Sequence, residues 1–340
     1  MLTDPESIKL ALRRILPNVQ KPGRYFGGEL NQVVKDWDQV PTRVALVFPD
    51  IYDLGVPNLG IMILYELINS RDDALCERAY LPWLDMEAAM RENDVPLYSL
   101  ESKRPLKDFD LIGFTLPYES LFTNVLNALD LAGVPLRSEN RAEGDPIILA
   151  GGHAAYNPEP MAPFIDVFAI GEGEEIIQEI VTCIRESKHA ALSRLDTLKA
   201  LQKIEGVYIP AFYQPTYNPD GTLAGIAPIS AEYPRRITKR LCAKLPDPPT
   251  HIIVPSIDVV HNRVAIEIMR GCTRGCRFCH AGMVNRPVRE RSVETIITSI
   301  KKSLKNTGYE EIALLSLSSS DYTHIAELTD AISEQFCGKN

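Results

Sequence analysis

Four short apolar runs constrain this chain more than any other feature. They are Val44-Ala45-Leu46-Val47-Phe48, Leu111-Ile112-Gly113-Phe114, Ile147-Ile148-Leu149-Ala150 and Val167-Phe168-Ala169-Ile170. A strand with one wet face alternates apolar and polar residues. A strand that is apolar throughout is buried on both faces, as in a parallel sheet between two helical layers. Three of the runs close on turn formers: Pro49-Asp50, Gly151-Gly152 and Gly171-Glu172-Gly173. Helical stripes stand between them over 60–69, 120–131 and 176–184, and a weaker strand is expected near 78–81. Residues 41–185 therefore predict an α/β domain with a doubly wound parallel sheet.

The flanks read differently. Residues 1–40 form an extension, with a helical stripe at Ile8, Leu12, Ile15 and Leu16 broken by Pro22-Gly23. Residues 186–260 predict a helix near 193–204, strands about 206–213, and the turn Asn218-Pro219-Asp220-Gly221; Pro246, Pro248 and Pro249 mark a connector. This stretch is expected to be a small β-rich insert and linker. From 261 to 340 the α/β rhythm restarts: strand 263–269, helix 292–304, strand 311–317, and a helix to about Phe336.

Several classes are excluded. No run approaches the roughly 18 apolar residues of a membrane span, and the first residues hold no apolar signal segment. A net charge of −9 argues against bulk electrostatic binding of nucleic acid. Seven cysteines, an odd count, suit reduced thiols and a cytoplasmic location better than a secreted disulfide scaffold.

Three of those cysteines fall within eight residues, Gly271-Cys272-Thr273-Arg274-Gly275-Cys276-Arg277-Phe278-Cys279-His280. Three thiolates on one loop after a strand suit three irons of a cubane cluster, leaving the fourth iron open to a small molecule. A zinc site pairs two Cys-x2-Cys knuckles or adds His at regular spacing. His280 directly follows Cys279, and side chains of adjacent residues diverge. The next cysteine is Cys337. The segment 263–305 is locally basic, with ten cations against three carboxylates. Arg286, Arg289 and Arg291 are candidates to hold an anionic group.

The Cys272-x3-Cys276-x-Phe278-Cys279 pattern resembles the radical S-adenosylmethionine (SAM) superfamily. The resemblance implies a 4Fe–4S cluster on Cys272, Cys276 and Cys279, at the start of a partial (β/α) barrel, whose open iron chelates SAM. It also implies reductive cleavage of SAM to a 5′-deoxyadenosyl radical, a reducing partner such as flavodoxin or ferredoxin, and SAM contacts from Phe278 and Arg286. The family places a Gly-Gly-Glu stretch after the second barrel strand. Here the position reads Ser316-Leu317-Ser318-Ser319-Ser320-Asp321, so Ser318, Ser319 and Ser320 are the candidates for that contact.

Residues 41–185 resemble the cobalamin-binding, Rossmann-like domain that precedes the barrel in one branch of that superfamily. The first βα loop of histidine-ligating cobalamin domains reads Asp-x-His-x-x-Gly; here it is Asp50-Ile51-Tyr52-Asp53-Leu54-Gly55. A phenol offers cobalt no nitrogen lone pair, so any cobalamin is expected to bind without a histidine ligand. Thr115, Gly151 and Gly152 are the expected contacts of its nucleotide tail, and His153 is read as a satisfied loop histidine. Segments 21–31, 156–160 and 282–291 resemble an uncharacterised bacterial family that combines both domains. That family continues beyond residue 340, so the chain is expected to be an N-terminal fragment carrying only the first βαβα of the barrel, with its substrate unnamed. Two other readings compete: a methylthiotransferase-like enzyme modifying RNA or protein, which would need further cysteines in the N-terminal domain, and a non-catalytic cofactor-binding or docking module.

Overall fold

The structure, a computed structural model, describes residues 1–336; Cys337 lies outside them. Helix α1 (Pro5–Ile15) starts at Asp4, whose carboxylate accepts from the Ser7 amide. Strand β1 (Thr42–Phe48) leads through the single turn α2 (Tyr52–Gly55) into α3 (Leu59–Asn69). Then come β2 (Ala74–Tyr80), α4 (Leu84–Glu92), β3 (Leu111–Thr115), α5 (Phe122–Leu131), β4 (Ile147–Gly151), β5 (Val167–Ala169), α6 (Gly173–His189), α7 (Arg194–Leu201) and β6 (Val207–Tyr208).

These strands form one sheet in the order β2-β1-β3-β4-β5-β6, parallel except for β6. Alternate residues of each strand enter opposite cores. Ala45, Val47, Ile112, Phe114, Ile148 and Ala150 pack on the face of α1, α4 and α5. Val44, Leu46, Leu111, Ile147 and Leu149 pack on the face of α3, α6 and α7. Both sets are apolar, as a sheet covered on both sides requires. Two details differ from the sequence expectation. Strand β2 begins at Ala74, and β6, assigned to the insert, closes the main sheet antiparallel to β5.

The hairpin β7 (Tyr213–Tyr217) and β8 (Leu223–Pro228) turns at Asn218–Gly221, as the turn residues predict. The chain then builds β9 (Val264–Glu267), β10 (Met269–Arg270), α8 (Ala281–Val284), β11 (Arg289–Glu290), α9 (Val293–Thr307), β12 (Ile312–Leu315) and α10 (Ile325–Phe336). Strands β9 and β12 pair in parallel, Ile312 opposite Val264, with α9 as the crossover. Ser292 caps α9 by accepting from the Thr295 amide. A third core of Val264, Ile266, Ile296 and Ile300 lies between these strands and α9, and Met62 of α3 packs against it.

Charge joins the two parts. Glu172 accepts from Arg289 Nη1 at 2.6 Å and from the Cys242 amide at 2.7 Å, and Glu174 accepts from Arg270 Nη2 at 2.6 Å. Arg270 also holds Glu267, and Arg291 pairs with Glu267 at 2.7 Å. Within the sheet domain, buried Arg78 lies between Glu29 and Glu101, and Asp53 holds Lys21 and Arg24 at 2.6 Å each. Residues 21–29 are thereby strapped over the ends of β1 and β2.

Two predictions arise here. Gly152 has φ +105°, and a Cβ there would lie 2.6 Å from the Leu116 carbonyl oxygen; at Gly151 it would meet only ordinary contacts at 3.8 Å. Gly152→Ala is expected to cost about 1–3 kcal/mol, and Gly151→Ala clearly less, in urea denaturation; equal costs would contradict this backbone account. For Glu172, burial alone would raise the pKa, but Arg289, the Cys242 amide and Arg270 hold it below the usual carboxylate value. Its stabilising contribution is complete above the unfolded pKa near 4.5 and is lost as pH falls through the lower folded value. The difference in urea midpoint between wild type and Glu172→Gln should therefore shrink on acidification below about pH 4.5. A difference independent of pH would mean that Glu172 is not ionised in the clasp.

Candidate functional site

Two features meet at the junction of the sheet domain and the β9–β12 unit. The first is the cysteine loop. Its neck is closed by the antiparallel pairing of Met269 with Glu290 and Arg270 with Arg289. Gly271, at φ +90°, lets the chain enter: a Cβ there would sit 2.6 Å from the Pro287 carbonyl oxygen. Inside the neck, Arg286 Nε donates to the Cys272 carbonyl at 3.2 Å. The Arg274 amide donates to Cys272 Sγ at 3.5 Å, and the Gly282 amide to Cys279 Sγ at 3.3 Å. Amides aimed at sulfur stabilise thiolate ligands and tune an iron–sulfur centre.

Cys276 is exposed, Cys272 and Cys279 are half-buried, and the Phe278 ring is 92% exposed. Arg274 grips Asp321 through Nε and Nη2, which puts the serine turn after β12 beside the cysteine loop. Within that turn Ser318 Oγ donates to Asp321 Oδ2 at 2.7 Å, and the Ser316 and Ser319 hydroxyls are 2.8 Å apart; Ser320 lies in the same turn. Among the described residues, no three His, Cys, Asp or Glu side chains converge as they would around a single ion. A cubane has a different requirement, because its thiolates bind separate corners. Three thiols on one loop, none of them buried and two of them facing amides, fit that donor set.

The other arginines have different roles from those expected. Arg289 is committed to Glu172, and Arg291 is buried between Glu267 and the Pro246 carbonyl. Neither is free to hold an anion. His280 turns toward the sheet domain, edge-on to Tyr156 with ring centroids 6.2 Å apart. Cys76, on β2, and Cys242 are buried, and Cys183, on α6, is half-buried. Burial, reinforced by Glu174 and Glu172, pushes the Cys242 thiol up to about 12, so it stays protonated.

The second feature is a cleft of about 300 Å³ at the carboxyl ends of β1, β3, β4 and β5, roofed by α3 and α6. In open α/β sheets this is where ligands bind. Thr115, Gly151 and Gly152 line it, as does apolar Ile177, while Arg270 and Asn285 reach it from the neck of the cysteine loop. Both glycines stand at the cleft, and at Gly152 the Leu116 backbone also leaves no room for a side chain. Tyr52 is not at the cleft. It is buried, with its hydroxyl donating to Glu29 at 3.1 Å. His153 is at the rim, its Nε2 3.0 Å from the Asn285 amide nitrogen.

Sequence reasoning missed Arg270, Asn285 and the Glu172–Glu174 pair. The signal was present: an acidic run in one domain and a basic segment in the other have complementary charge.

No helix among the described residues is long and apolar enough to cross a membrane. Residues 60–210 match the family described as radical SAM proteins, N-terminal, and residues 266–337 match the radical SAM superfamily. An uncharacterised protein of Methanocaldococcus jannaschii is 24% identical over 295 residues, covering 86% of this chain and 53% of the relative. Two structures of the radical S-adenosylmethionine methyltransferase TsrM from Kitasatospora setae are also similar. The one with cobalamin and a [4Fe-4S] cluster bound has a TM-score of 0.49 and 13% identity, covering 86% of this chain and 52% of that one. The one with tryptophan and the SAM analog aza-SAM bound has a TM-score of 0.48 and 14% identity, covering 86% and 50%. The chain thus spans about half the length of the relatives it matches. The two family matches fall in order on the sheet domain and on the unit that bears the cysteine loop, and the chain belongs to the radical SAM superfamily.

Proposed function

We propose that this chain forms the cofactor-binding part of a radical SAM enzyme, with a 4Fe–4S cluster held by Cys272, Cys276 and Cys279 and a cobalamin held in the cleft of the sheet domain. The observation that carries the reading is the placement of the cysteine loop and the serine turn side by side at the carboxyl ends of two paired parallel strands. When bound, the cluster supplies one electron to SAM from a reducing partner such as flavodoxin or ferredoxin.

The chain's own residues have separable tasks. Arg274 and Asp321 set the spacing between the cysteine loop and the serine turn. Ser318, Ser319 and Ser320 offer hydroxyls and backbone groups to the SAM amino group, and Phe278 offers an exposed aromatic face to its adenine. Arg286 positions the loop through Nε on the Cys272 carbonyl and offers its Nη groups to the SAM carboxylate. The cleft supports the cobalamin reading by its place in the sheet and its small, apolar floor. Tyr52 supports binding without a ligand from the first βα loop, because its hydroxyl is turned to Glu29.

Anaerobic reconstitution should give about four irons per chain, with a broad thiolate-to-iron absorption band. Replacing Cys272, Cys276 or Cys279 by Ala should remove most of the iron; replacing Cys76 or Cys183 should not. Stoichiometric zinc that persists through reconstitution would sink the cluster assignment. Hydroxocobalamin should bind at micromolar concentration, and its Co(II) form should show no nitrogen hyperfine splitting from the protein in electron paramagnetic resonance. Tyr52→Phe should leave its affinity unchanged while costing about 1 kcal/mol of stability through the lost bond to Glu29. Gly151→Leu should weaken binding at least tenfold, about 1.4 kcal/mol. Protein-derived nitrogen splitting, or full affinity in Gly151→Leu, would contradict this arrangement.

A further inference from the structure

The cysteine loop is fastened at its neck and little elsewhere. Beyond the β10–β11 pair, the neck is held by the sheet domain and by Lys239 of the connector that follows the hairpin. Lys239 Nζ donates to the Val284 carbonyl at 2.8 Å and to the Arg286 carbonyl at 2.6 Å, and Tyr156 donates to the Val284 carbonyl at 3.4 Å. Asn285 meets His153, and Arg270 meets Glu174. Farther out, Arg274–Asp321 is the one ion pair made by the loop's tip among the described residues. Two neck residues, one on each stem, also line the cleft: Arg270 two residues before Cys272, and Asn285 six residues after Cys279.

We infer that the His153–Asn285 contact couples occupancy of the cleft to the conformation of the cysteine loop. His153 and Asn285 are positioning residues for the cluster ligands, acting through the neck. The inference rests on the proposed cofactors and adds a link between them. A ligand seated in the cleft bears on Asn285 and Arg270 together and so favours the closed neck. The closed neck holds together the two stems that carry Cys272 and Cys279. Linkage makes the effect reciprocal: whatever factor cleft occupancy contributes to cluster binding, the loaded loop returns to the cleft.

The test uses the whole chain, with and without anaerobically reconstituted cluster. Hydroxocobalamin should bind the loaded form at least about 5-fold more tightly than the iron-free form. Asn285→Ala should bring that ratio to one, whatever its effect on the affinity of the iron-free form, and Asn285→Gln, which keeps the amide, should restore part of it. Equal affinity in both forms of the wild type overturns the inference. A second readout needs no corrinoid. Loading the cluster should increase hydrogen-exchange protection at residues 152–156 in the wild type but not in Asn285→Ala. Iron uptake without a change there also overturns the coupling. If hydroxocobalamin fails to bind while that protection does change, the cobalamin part of the proposed function fails and the coupling stands. If neither iron nor corrinoid is taken up, both are overturned.

Discussion

The junction of the molecule depends on an ionic clasp: Glu172 and Glu174, at the start of α6, against Arg270 and Arg289, which face each other across the neck of the cysteine loop. Arginine suits this place because its planar fork satisfies two acceptors at once and stays charged when half-buried. Burying such charges is costly, and the cost is offset only when every partner is present. The clasp therefore acts as a set. Glu267 completes it from β9, joining Arg270 to Arg291. In consequence the cleft and the cysteine loop share a wall made from the same side chains.

Much of the sheet was legible in the sequence because its strands are apolar on both faces, a pattern that few other structures produce. The limits of legibility are equally physical. Strand β2 was only half recognised because Glu77 and Arg78 are buried in it; Ser102, Glu29 and Glu101 satisfy them, and a hydropathy pattern reads such residues as exposed. Strand β6 was placed in the insert because its partner Phe168 is forty residues away and the pairing is antiparallel.

The cysteine spacing was enough to locate the loop and to point to the superfamily. It was not enough to assign the arginines that follow, because a charge in a sequence does not name its partner. Arg289 and Arg291 were read as anion holders and are structural clamps. Gly152 answers to a demand that spacing does not reveal: besides lining the cleft, it faces the Leu116 carbonyl, which leaves no room for a Cβ. Tyr52 was read for what its phenol cannot offer; its tie to Glu29 lay beyond what spacing reveals.

Helix α3 has a consequence of a different kind. Ile61 belongs to one core of the sheet domain, Tyr65 and Ile68 to the other, and Met62 to the core of the β9–β12 unit. A single eleven-residue helix thus serves three hydrophobic interiors. Sequence drift along it is restricted on nearly every side, since a change of volume that one interior tolerates is felt by its neighbours through the same rigid rod. Among the helices of this chain, α3 is where compensating pairs of substitutions, one in each half, should be found when relatives are aligned.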